Sequence, residues 1–344
     1  MKKHLTFITI LLLIFTLNSG CSSQPKQVSG KPLVSKSTLL LNTVVTISLY
    51  DTDDESILLE AFDLCKQYEF IFSRTQPESE LYQLNAGTLP LSDGSYTISD
   101  DLSGLIERGL YYSSLSNGAF DITIEPISSL WDFQSDSPSL PNDDLIQQKL
   151  PLVDYTNVTL HKNLLHFEKE AMGIDLGAIA KGYIADRLKE FLLSKNVNSA
   201  IISLGGNVLC VGAKPDGSPF QIGIQKPYAD RNETIALLEL TDVSVVSSGV
   251  YERYFELDGK NYHHILNPKT GYPYDNGLIS VTIISSASVD GDALSTTAFA
   301  LGLEEGMKLI DSMDNVYAVF ITSDETLHYS ANFTEQISVT EIYS

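Results

Sequence analysis

The stretch Asp175-Leu-Gly-Ala-Ile-Ala-Lys181-Gly182-Tyr183 places a carboxylate, two glycines and a lysine around the predicted start of a helix. Free backbone N–H groups and the helix dipole make such a start attractive to anions. In a simpler interpretation Asp175 is an N-cap and Lys181 a surface residue, which is the more common case for one stretch taken alone. Gly177 and Gly182 argue against it, because glycine inside a helix costs about 1 kcal/mol relative to alanine and usually marks a close approach. The stretch therefore predicts an anion site at which Lys181 supplies the counter-charge.

A second polar cluster lies far along the chain, in Asp292-Ala-Leu-Ser-Thr296. Its carboxylate and its last hydroxyl are four residues apart and share one face of a predicted helix. Hard oxygen ligands of this kind, with a lysine nearby, suit a Mg²⁺ ion that holds a phosphate ester. In isolation the cluster is more simply explained as a capped helix start. Together with the first stretch, it predicts a site for a pyrophosphate and a metal ion.

The remainder of the chain predicts an α+β fold with mixed or antiparallel sheets and packed helices. Strands outnumber helices and do not alternate strictly with them, which argues against a doubly wound sheet. Segments rich in β-branched and aromatic residues predict strands at 39–50, 158–167, 200–204, 220–224, 235–240, 279–285 and 316–322. Apolar residues at helical spacing predict helices that follow Asp53-Asp54, Asp100-Asp101 and Asp175, and a further helix at 292–301.

The N-terminus has the features of an export signal. Two lysines precede an apolar run from Leu5 to Leu17, which is short for a membrane span, and small residues then lead into Cys21. This is the arrangement in which a cysteine is acylated and becomes the mature N-terminus. We therefore expect a lipoprotein signal peptide at 1–20, a flexible tether at 21–37 after lipidated Cys21, and one domain at 38–344. The alternative is an ordinary secretory signal with an incidental cysteine.

The charge balance excludes one large class of partners. The chain of 344 residues has a formal net charge of −22, and removal of residues 1–20 deletes two lysines and no acids, which gives −24. Nucleic acid is therefore not expected as a partner, because its binding depends on lysine and arginine that neutralise phosphates.

Cys65 and Cys210 allow one optional disulfide, but no CxxC motif points to zinc or redox chemistry. Both are expected in apolar surroundings.

Two further motifs carry polar or flexible residues at predicted strand ends. Gly205-Gly206 predicts either a turn with positive φ or a close approach to a flat ligand, and the sequence does not decide between them. His263 and His264 are adjacent, so a strand would point them to opposite faces. A single histidine is more often structural than catalytic. At a strand end beside the rigid Asn267-Pro268 turn, however, His264 is expected to accept a proton, with a pKa near working pH.

In family order, these motifs resemble the ApbE-type FAD:protein FMN transferases, over about 39–302. Each motif alone is weak, but the ordered set is specific. The set consists of Asn117-Gly-Ala-Phe-Asp121 with Pro126 and Leu130-Trp131, Asp175-Leu-Gly-Ala-Ile-Ala-Lys181-Gly182, Gly205-Gly206-Asn207, Ser248-Gly249, His264-Ile-Leu-Asn267-Pro268, Thr270-Gly271 and Asp292-Ala-Leu-Ser-Thr296.

The resemblance implies a T-fold-like flavin transferase architecture and an enzyme that moves the FMN half of FAD onto a threonine hydroxyl of an exported or membrane redox protein, with release of AMP. It implies FAD as substrate and Mg²⁺ as cofactor. His264, Asp292 and Lys181 would be catalytic. The implied metal ligands are Ala178 through its carbonyl, Asp292 and Thr296, with Ser295 adjacent. The implied FAD contacts are Leu41, Thr75, Ala119, Phe120, Asp121, Asp175, Lys181 and Ile265.

Three positions depart from the family pattern. Asn42 stands where glycine is usual, Thr75 stands where a tyrosine commonly stacks on the flavin, and Asn267 replaces an aspartate. None of them removes a proposed metal ligand or the lysine, so activity is expected to survive.

Two other functions share most of these features. A surface lipoprotein that only binds flavin needs neither His264 nor the metal ligands, so it predicts FAD binding that is indifferent to Mg²⁺. A metal-dependent FAD pyrophosphatase, which gives FMN and AMP, would use the same site with water in place of threonine. In each case we expect a lipid-anchored protein on the extracytoplasmic side of the cell membrane.

Overall fold

A computed structural model describes residues 30–342 apart from 134, 136, 231 and 232. The helices are α1 Glu55–Phe72, α2 Glu80–Asn85, α3 Asp100–Leu115, α4 Glu125–Ser128, α5 Asp143–Lys149, α6 Ala180–Ser194, α7 Ser288–Asp311 and α8 Phe333–Gln336. The strands are β1 Val34–Leu40, β2 Thr43–Leu49, β3 Leu91–Ser92, β4 Ser95–Thr97, β5 Val158–His161, β6 Leu164–Phe167, β7 Ala200–Leu204, β8 Asn207–Val211, β9 Phe220–Gln225, β10 Thr234–Leu240, β11 Ser244–Gly249, β12 Tyr254–Leu257, β13 Lys260–His263, β14 Leu278–Ser285, β15 Tyr317–Thr322, β16 Leu327–Tyr329 and β17 Ser338–Glu341.

Within the described residues, the largest sheet has eight strands in the order β1-β2-β7-β8-β11-β14-β15-β16. Every neighbouring pair in it is antiparallel. Strand β14 is buried at all eight of its positions, so both faces of the sheet are covered there. The smaller sheets are β17-β10-β9, β12-β13 and β3-β4-β6-β5. The predicted α+β class with antiparallel sheets is confirmed.

Helices α6 and α7 pack on the large sheet and against each other. The two helices approach closely at Gly182, where an added Cβ would lie 2.3 Å from the carbonyl oxygen of Ser288 and 2.7 Å from the Cα of Val289. Asp186, one turn further along α6, accepts hydrogen bonds from the N–H groups of the same two residues at 2.8 and 2.9 Å. One helix therefore caps the start of the other. The close approach inferred for Gly182 is confirmed.

The segment predicted as one strand at 39–50 is a hairpin. Strand β1 ends at Leu40 and β2 begins at Thr43. Between them Leu41 (φ 56°) and Asn42 (φ 54°) are both left-handed, the conformation of a two-residue hairpin turn. Asparagine tolerates this conformation, which explains how it can stand at a position where glycine is usual. The prediction was wrong because a leucine at the first turn position gives no turn signal.

The bounds of three other segments also differ from those predicted. Residues 34–37, assigned to the tether, belong to β1, and the N–H group of Leu33 donates to Leu49 O at 2.8 Å. The helix predicted directly after Asp175 begins only at Ala180, after a turn, so Asp175 does not cap it. The helix predicted at 292–301 begins earlier, at Ser288, and continues to Asp311 across a break at Gly302.

The predicted signal peptide, the lipidated Cys21 and most of the tether lie outside the described residues and stay predictions. Among the residues that the structure describes, no helix is both long and apolar enough to cross a membrane.

Cys65 and Cys210 are free and fully buried, and burial raises the pKa of each thiol to about 12. Both cysteines therefore occupy apolar surroundings, as predicted.

Candidate active site

The start of α6 and one face of α7 form the centre of the site. In a regular helix the Gly182 N–H group would donate to the carbonyl of Ala178, four residues earlier. Here it donates to Asp292 Oδ2 at 2.8 Å. The carbonyl of Ala178 receives no hydrogen bond from the described part of the chain. We call Ala178, Lys181, Gly182, Asp292 and Thr296 the α6–α7 cradle.

Asp292 is a buried carboxylate, only 4% exposed, and no cation lies within ion-pairing distance of it among the described residues. Burial raises the pKa of Asp292, an effect that the nearby Lys181 ammonium opposes. A carboxylate in this position favours the approach of a further positive charge. The neighbouring Asp290 faces away from the cradle, since it pairs with Arg108 and accepts a hydrogen bond from the Tyr112 hydroxyl at 2.8 Å.

Three hydroxyl groups lie side by side along the cradle. Ser248 Oγ, near the end of β11, is 2.7 Å from Ser295 Oγ and 3.1 Å from Thr296 Oγ1. Ser295 is fully buried, and its hydroxyl donates to the main-chain oxygen of Asp292 at 2.9 Å. Thr296 is half-buried. Of the two hydroxyl residues predicted near the metal, Ser295 and Thr296, only Thr296 is therefore accessible to a ligand.

Lys181 lies between the start of α6 and the Gly205-Gly206 turn. Its ammonium group approaches the carbonyl oxygen of Gly205 at 3.5 Å. Gly205 (φ 57°) and Gly206 (φ 95°) form a left-handed turn between β7 and β8, so the turn interpretation of this glycine pair is confirmed. An added Cβ at Gly205 would meet the hydroxyl of Thr43 at 1.9 Å. The β1–β2 hairpin, the glycine turn and the cradle are thus adjacent.

Asp175 organises the loop before α6. One carboxylate oxygen accepts a hydrogen bond from the Gly177 N–H group at 2.9 Å. The other accepts from the Ser128 hydroxyl at 2.7 Å and lies 3.1 Å from Arg74 Nε. This carboxylate therefore connects three separate chain segments, and it fixes the turn that presents the carbonyl of Ala178. Arg74 immediately precedes Thr75, which is exposed in the loop after α1.

The two histidines have different surroundings. A carbonyl oxygen only accepts hydrogen bonds, so His263 Nε2, 2.9 Å from Tyr274 O, carries a proton, and its Nδ1 accepts from the Ile265 N–H group at 3.3 Å. By the same argument His264 Nδ1, 3.3 Å from Arg253 O, is protonated. His264 Nε2 makes no hydrogen bond within the described residues and is the free acceptor. Both ring nitrogens of His263 are therefore engaged, whereas Nε2 of His264 is free to accept a proton.

The expectation that His264 has a pKa near working pH is wrong for the ligand-free protein. Burial of the ring lowers the pKa of His264 to about 3, and the nearby charges of Arg253, His263 and Lys181 act in the same direction. The imidazole is therefore neutral at physiological pH. Negative charge brought in by a bound pyrophosphate would raise this pKa, because it offsets the neighbouring positive charges.

The other residues expected to contact FAD fall into two groups. Ala119 and Ile265 are connected through Tyr274. Its hydroxyl donates to Ala119 O at 2.8 Å and its N–H group donates to Ile265 O at 3.0 Å. Phe120 and Asp121 follow Ala119 and are both nearly buried. The carboxylate of Asp121 is engaged internally, where it accepts from Thr123 and Tyr155 N–H groups at 2.8 and 3.0 Å. The Asp121 side chain therefore has internal partners, and a FAD contact by Ala119, Phe120 and Asp121 stays a prediction.

Leu41 belongs to the hairpin turn described above. Its N–H group donates to Glu69 Oε1 at 2.9 Å, so helix α1 holds the left-handed leucine in place. A non-glycine residue in this conformation is strained by about 1–3 kcal/mol and persists only where its surroundings enforce it. The turn is a fixed feature beside the glycine turn of β7 and β8.

The donor set of the cradle fits a hard divalent cation. Its oxygens are a buried carboxylate (Asp292), a carbonyl without a hydrogen-bond donor (Ala178) and a half-buried hydroxyl (Thr296). Oxygen donors of this kind are typical of Mg²⁺ sites. Within the described residues, no three His, Cys, Asp or Glu side chains gather into a metal-binding group. The cradle has a single carboxylate, so neutral oxygens make up the rest of its donor set.

Proteins of similar sequence fall in one family. The ApbE family profile matches residues 41–321. A FAD:protein FMN transferase of Klebsiella pneumoniae (strain 342) is 37% identical over 307 residues, which cover 88% of this chain and 93% of that protein. A FAD:protein FMN transferase of Treponema pallidum (strain Nichols) is 31% identical over 326 residues, which cover 89% of each chain.

Solved structures show the same architecture. The ApbE protein of Thermotoga maritima superposes with a TM-score of 0.78 at 29% identity, over 88% of this chain and 98% of that chain. The flavin transferase ApbE of Vibrio cholerae superposes with a TM-score of 0.77 over the same shares, and at 24% identity it supports the fold alone. Profile, relatives and architecture lead to one conclusion. The chain belongs to the ApbE family.

Proposed function

We propose that this chain is a Mg²⁺-dependent flavin transferase that moves the FMN half of FAD onto a threonine hydroxyl of a target redox protein and releases AMP. The observation that carries the proposal is the α6–α7 cradle. The cradle holds a buried carboxylate without an ion-pair partner among the described residues, a carbonyl without a donor and a lysine. The neutral imidazole of His264 is near enough to Lys181 for the lysine charge to lower its pKa. The names of the related proteins support flavin transfer as the activity.

Asp292, Thr296 and the carbonyl of Ala178 would hold the Mg²⁺ ion. A bound Mg²⁺ ion would withdraw charge from the phosphate oxygens while the bond from phosphorus to the bridging oxygen is broken. Lys181 is placed by the start of α6 to neutralise the same oxygens. The hydrogen bond from the Gly182 N–H group holds the Asp292 carboxylate in position for this task.

His264 would accept the threonine proton. The threonine oxygen forms a bond to the phosphorus on the FMN side, the bond from that phosphorus to the bridging oxygen breaks, and AMP leaves with both electrons of that bond. The proton passes to Nε2, because the hydrogen bond from Nδ1 to Arg253 O leaves that nitrogen free. The covalent product is a phosphoester between FMN and threonine.

The proposed location rests on the N-terminal sequence, and the proposed class of partner rests on the resemblance to the ApbE family. We infer that Cys21 is acylated and that the tether places the domain at the extracytoplasmic surface of the cell membrane. Exported or membrane redox proteins with a threonine flavinylation motif would then lie within reach. Loss of [¹⁴C]palmitate labelling in Cys21→Ser would support this anchor, and equal labelling of that variant would contradict it.

Intact-mass spectrometry separates the candidate functions. The purified protein is incubated with FAD, Mg²⁺ and an acceptor that the Klebsiella pneumoniae relative flavinylates, with that relative as the positive control. The proposal predicts that the acceptor gains the mass of FMN less one water, and that EDTA abolishes the gain. Conversion of FAD to free FMN and AMP without a mass gain would indicate a pyrophosphatase. Unchanged bound FAD would indicate a flavin-binding lipoprotein.

The pH profile of transfer tests the role assigned to His264. Because the pKa of His264 is about 3 in the free protein, kcat/KM for FAD should show no acid limb from this group between about pH 5 and pH 8. His264→Gln should lower kcat about 100-fold across that range, the lower end of what a general base contributes, with FAD affinity unchanged. The exposed His161→Gln is the control. An acid limb near pH 6.5 that disappears in His264→Gln would contradict this assignment.

A further inference from the structure

The three hydroxyl groups along the cradle form a chain whose direction is determined. Ser295 Oγ lies 2.9 Å from the main-chain oxygen of Asp292, which can only accept, so Ser295 donates its single hydrogen there. The contact between Ser295 and Ser248 at 2.7 Å then requires Ser248 to donate. Ser248 has no second hydrogen to give. Its contact with Thr296 at 3.1 Å therefore requires Thr296 to donate.

This order has a consequence for the oxygen of Thr296. A hydroxyl has one hydrogen and two acceptor lone pairs. Since its hydrogen is directed at Ser248, the lone pairs of Thr296 Oγ1 are left for a ligand that only accepts electron density from oxygen, which is what a metal cation does. A threonine on a helix otherwise has a competing choice, because its hydroxyl can donate to a main-chain carbonyl of the preceding turn.

We propose that Ser248 is a positioning residue for the metal site, and that it acts by holding the Thr296 hydroxyl with its lone pairs toward the cation. Ser295 is then the far end of the chain, and its hydroxyl serves Ser248 and not the metal ion. This inference rests on the proposed function, because it takes Mg²⁺ as the ligand of the cradle. Hydrogen-bond partners of metal ligands commonly account for 10- to 100-fold in metal affinity.

Strand β11 supplies a matched control next to Ser248. Ser247 also makes one side-chain hydrogen bond, to Thr282 Oγ1 at 2.8 Å on the adjacent strand β14. Neighbouring residues of a strand point to opposite faces, so Ser247 lies on the side away from the cradle. Ser247→Ala and Ser248→Ala each remove one hydroxyl from the same strand, but only the second affects Thr296.

The test is calorimetric titration of the purified protein with MgCl₂ alone, without flavin or acceptor. Wild type, Ser247→Ala and Ser248→Thr are expected to bind Mg²⁺ with similar affinity, because threonine keeps the hydroxyl. Ser248→Ala is expected to bind about 10-fold more weakly. Thermal unfolding in EDTA confirms that each variant is folded. If Ser248→Ala does not fold, Ser248→Cys fills the same space with a weak donor and acceptor and gives the same comparison.

The outcomes separate this inference from the function on which it rests. Equal Mg²⁺ affinity in Ser248→Ala and Ser247→Ala would overturn the positioning role and leave the metal assignment intact. A wild-type protein that binds no Mg²⁺ would overturn both. A loss of Mg²⁺ affinity in Ser248→Ala or Ser248→Cys, but not in Ser248→Thr or Ser247→Ala, would support the positioning role.

Discussion

Asp292→Asn is expected to lower the rate of FMN transfer by about three orders of magnitude at saturating FAD. The change removes the only carboxylate of the cradle, and a catalytic metal ion contributes several kcal/mol, with about 1.4 kcal/mol for each tenfold in rate. The fold should be retained, because the amide oxygen can still accept from the Gly182 N–H group. The rate is followed by AMP release and by the mass of the acceptor.

The same variant carries its own control for stability. Wild-type Asp292 is a buried charge without an ion-pair partner among the described residues, and such a charge destabilises the metal-free protein. In EDTA, Asp292→Asn should therefore unfold at the same temperature as wild type or at a higher one. Added Mg²⁺ should raise the unfolding temperature of wild type only. Transfer activity within tenfold of wild type would contradict the assignment of Asp292 as a metal ligand.

Gly182→Ala should destabilise the protein strongly, although it adds only one methyl group. The new Cβ would lie 2.3 Å from Ser288 O and 2.7 Å from Val289 Cα, and both contacts are with backbone. Helices α6 and α7 must then move apart, at a cost of about 3 kcal/mol or more, since overpacking commonly costs 1–3 kcal/mol. Because the Gly182 N–H group also holds Asp292, Mg²⁺ affinity should fall as well. Chemical denaturation measures the free energy of unfolding.

Gly104→Ala is the matched control for this variant. Gly104 lies in α3, and an added Cβ there would have no heavy atom within 4 Å. Alanine at an unobstructed helical position is expected to stabilise by up to about 1 kcal/mol. The two changes are chemically identical, so a difference in sign isolates the contact between α6 and α7. A Gly182→Ala variant as stable as wild type would show that this contact can relax at little cost.

The sequence could predict those parts of the site that local spacing determines. Asp292 and Thr296 are four residues apart on one helix, and Lys181 and Gly182 follow the loop that contains Ala178. The glycine at 182 indicated a close approach without indicating the segment that makes it. The helices α1, α3, α6 and α7 were likewise predicted from periodicity, with errors at their ends. The α+β class was predicted from the number and order of the strands.

Contacts between distant segments could not be predicted in this way. Asp186 caps α7 across 102 positions, and Ser248 meets Thr296 across 48 positions, with no local pattern to announce either contact. The pKa of His264 depends on Arg253, which the hairpin of β12 and β13 brings beside it. The contacts of Asp175 with Arg74 and Ser128 could not be predicted for the same reason, because both partners are distant in sequence.

The most direct test of the cradle is a crystal structure of the protein with FAD and Mn²⁺, whose anomalous scattering locates the cation. We expect one strong anomalous peak, ligated by Asp292, Thr296 and the carbonyl of Ala178, with the pyrophosphate of FAD between the cation and Lys181. His264 Nε2 should face the phosphorus on the FMN side. A cation bound elsewhere, or a pyrophosphate that does not reach Lys181, would contradict the proposed site.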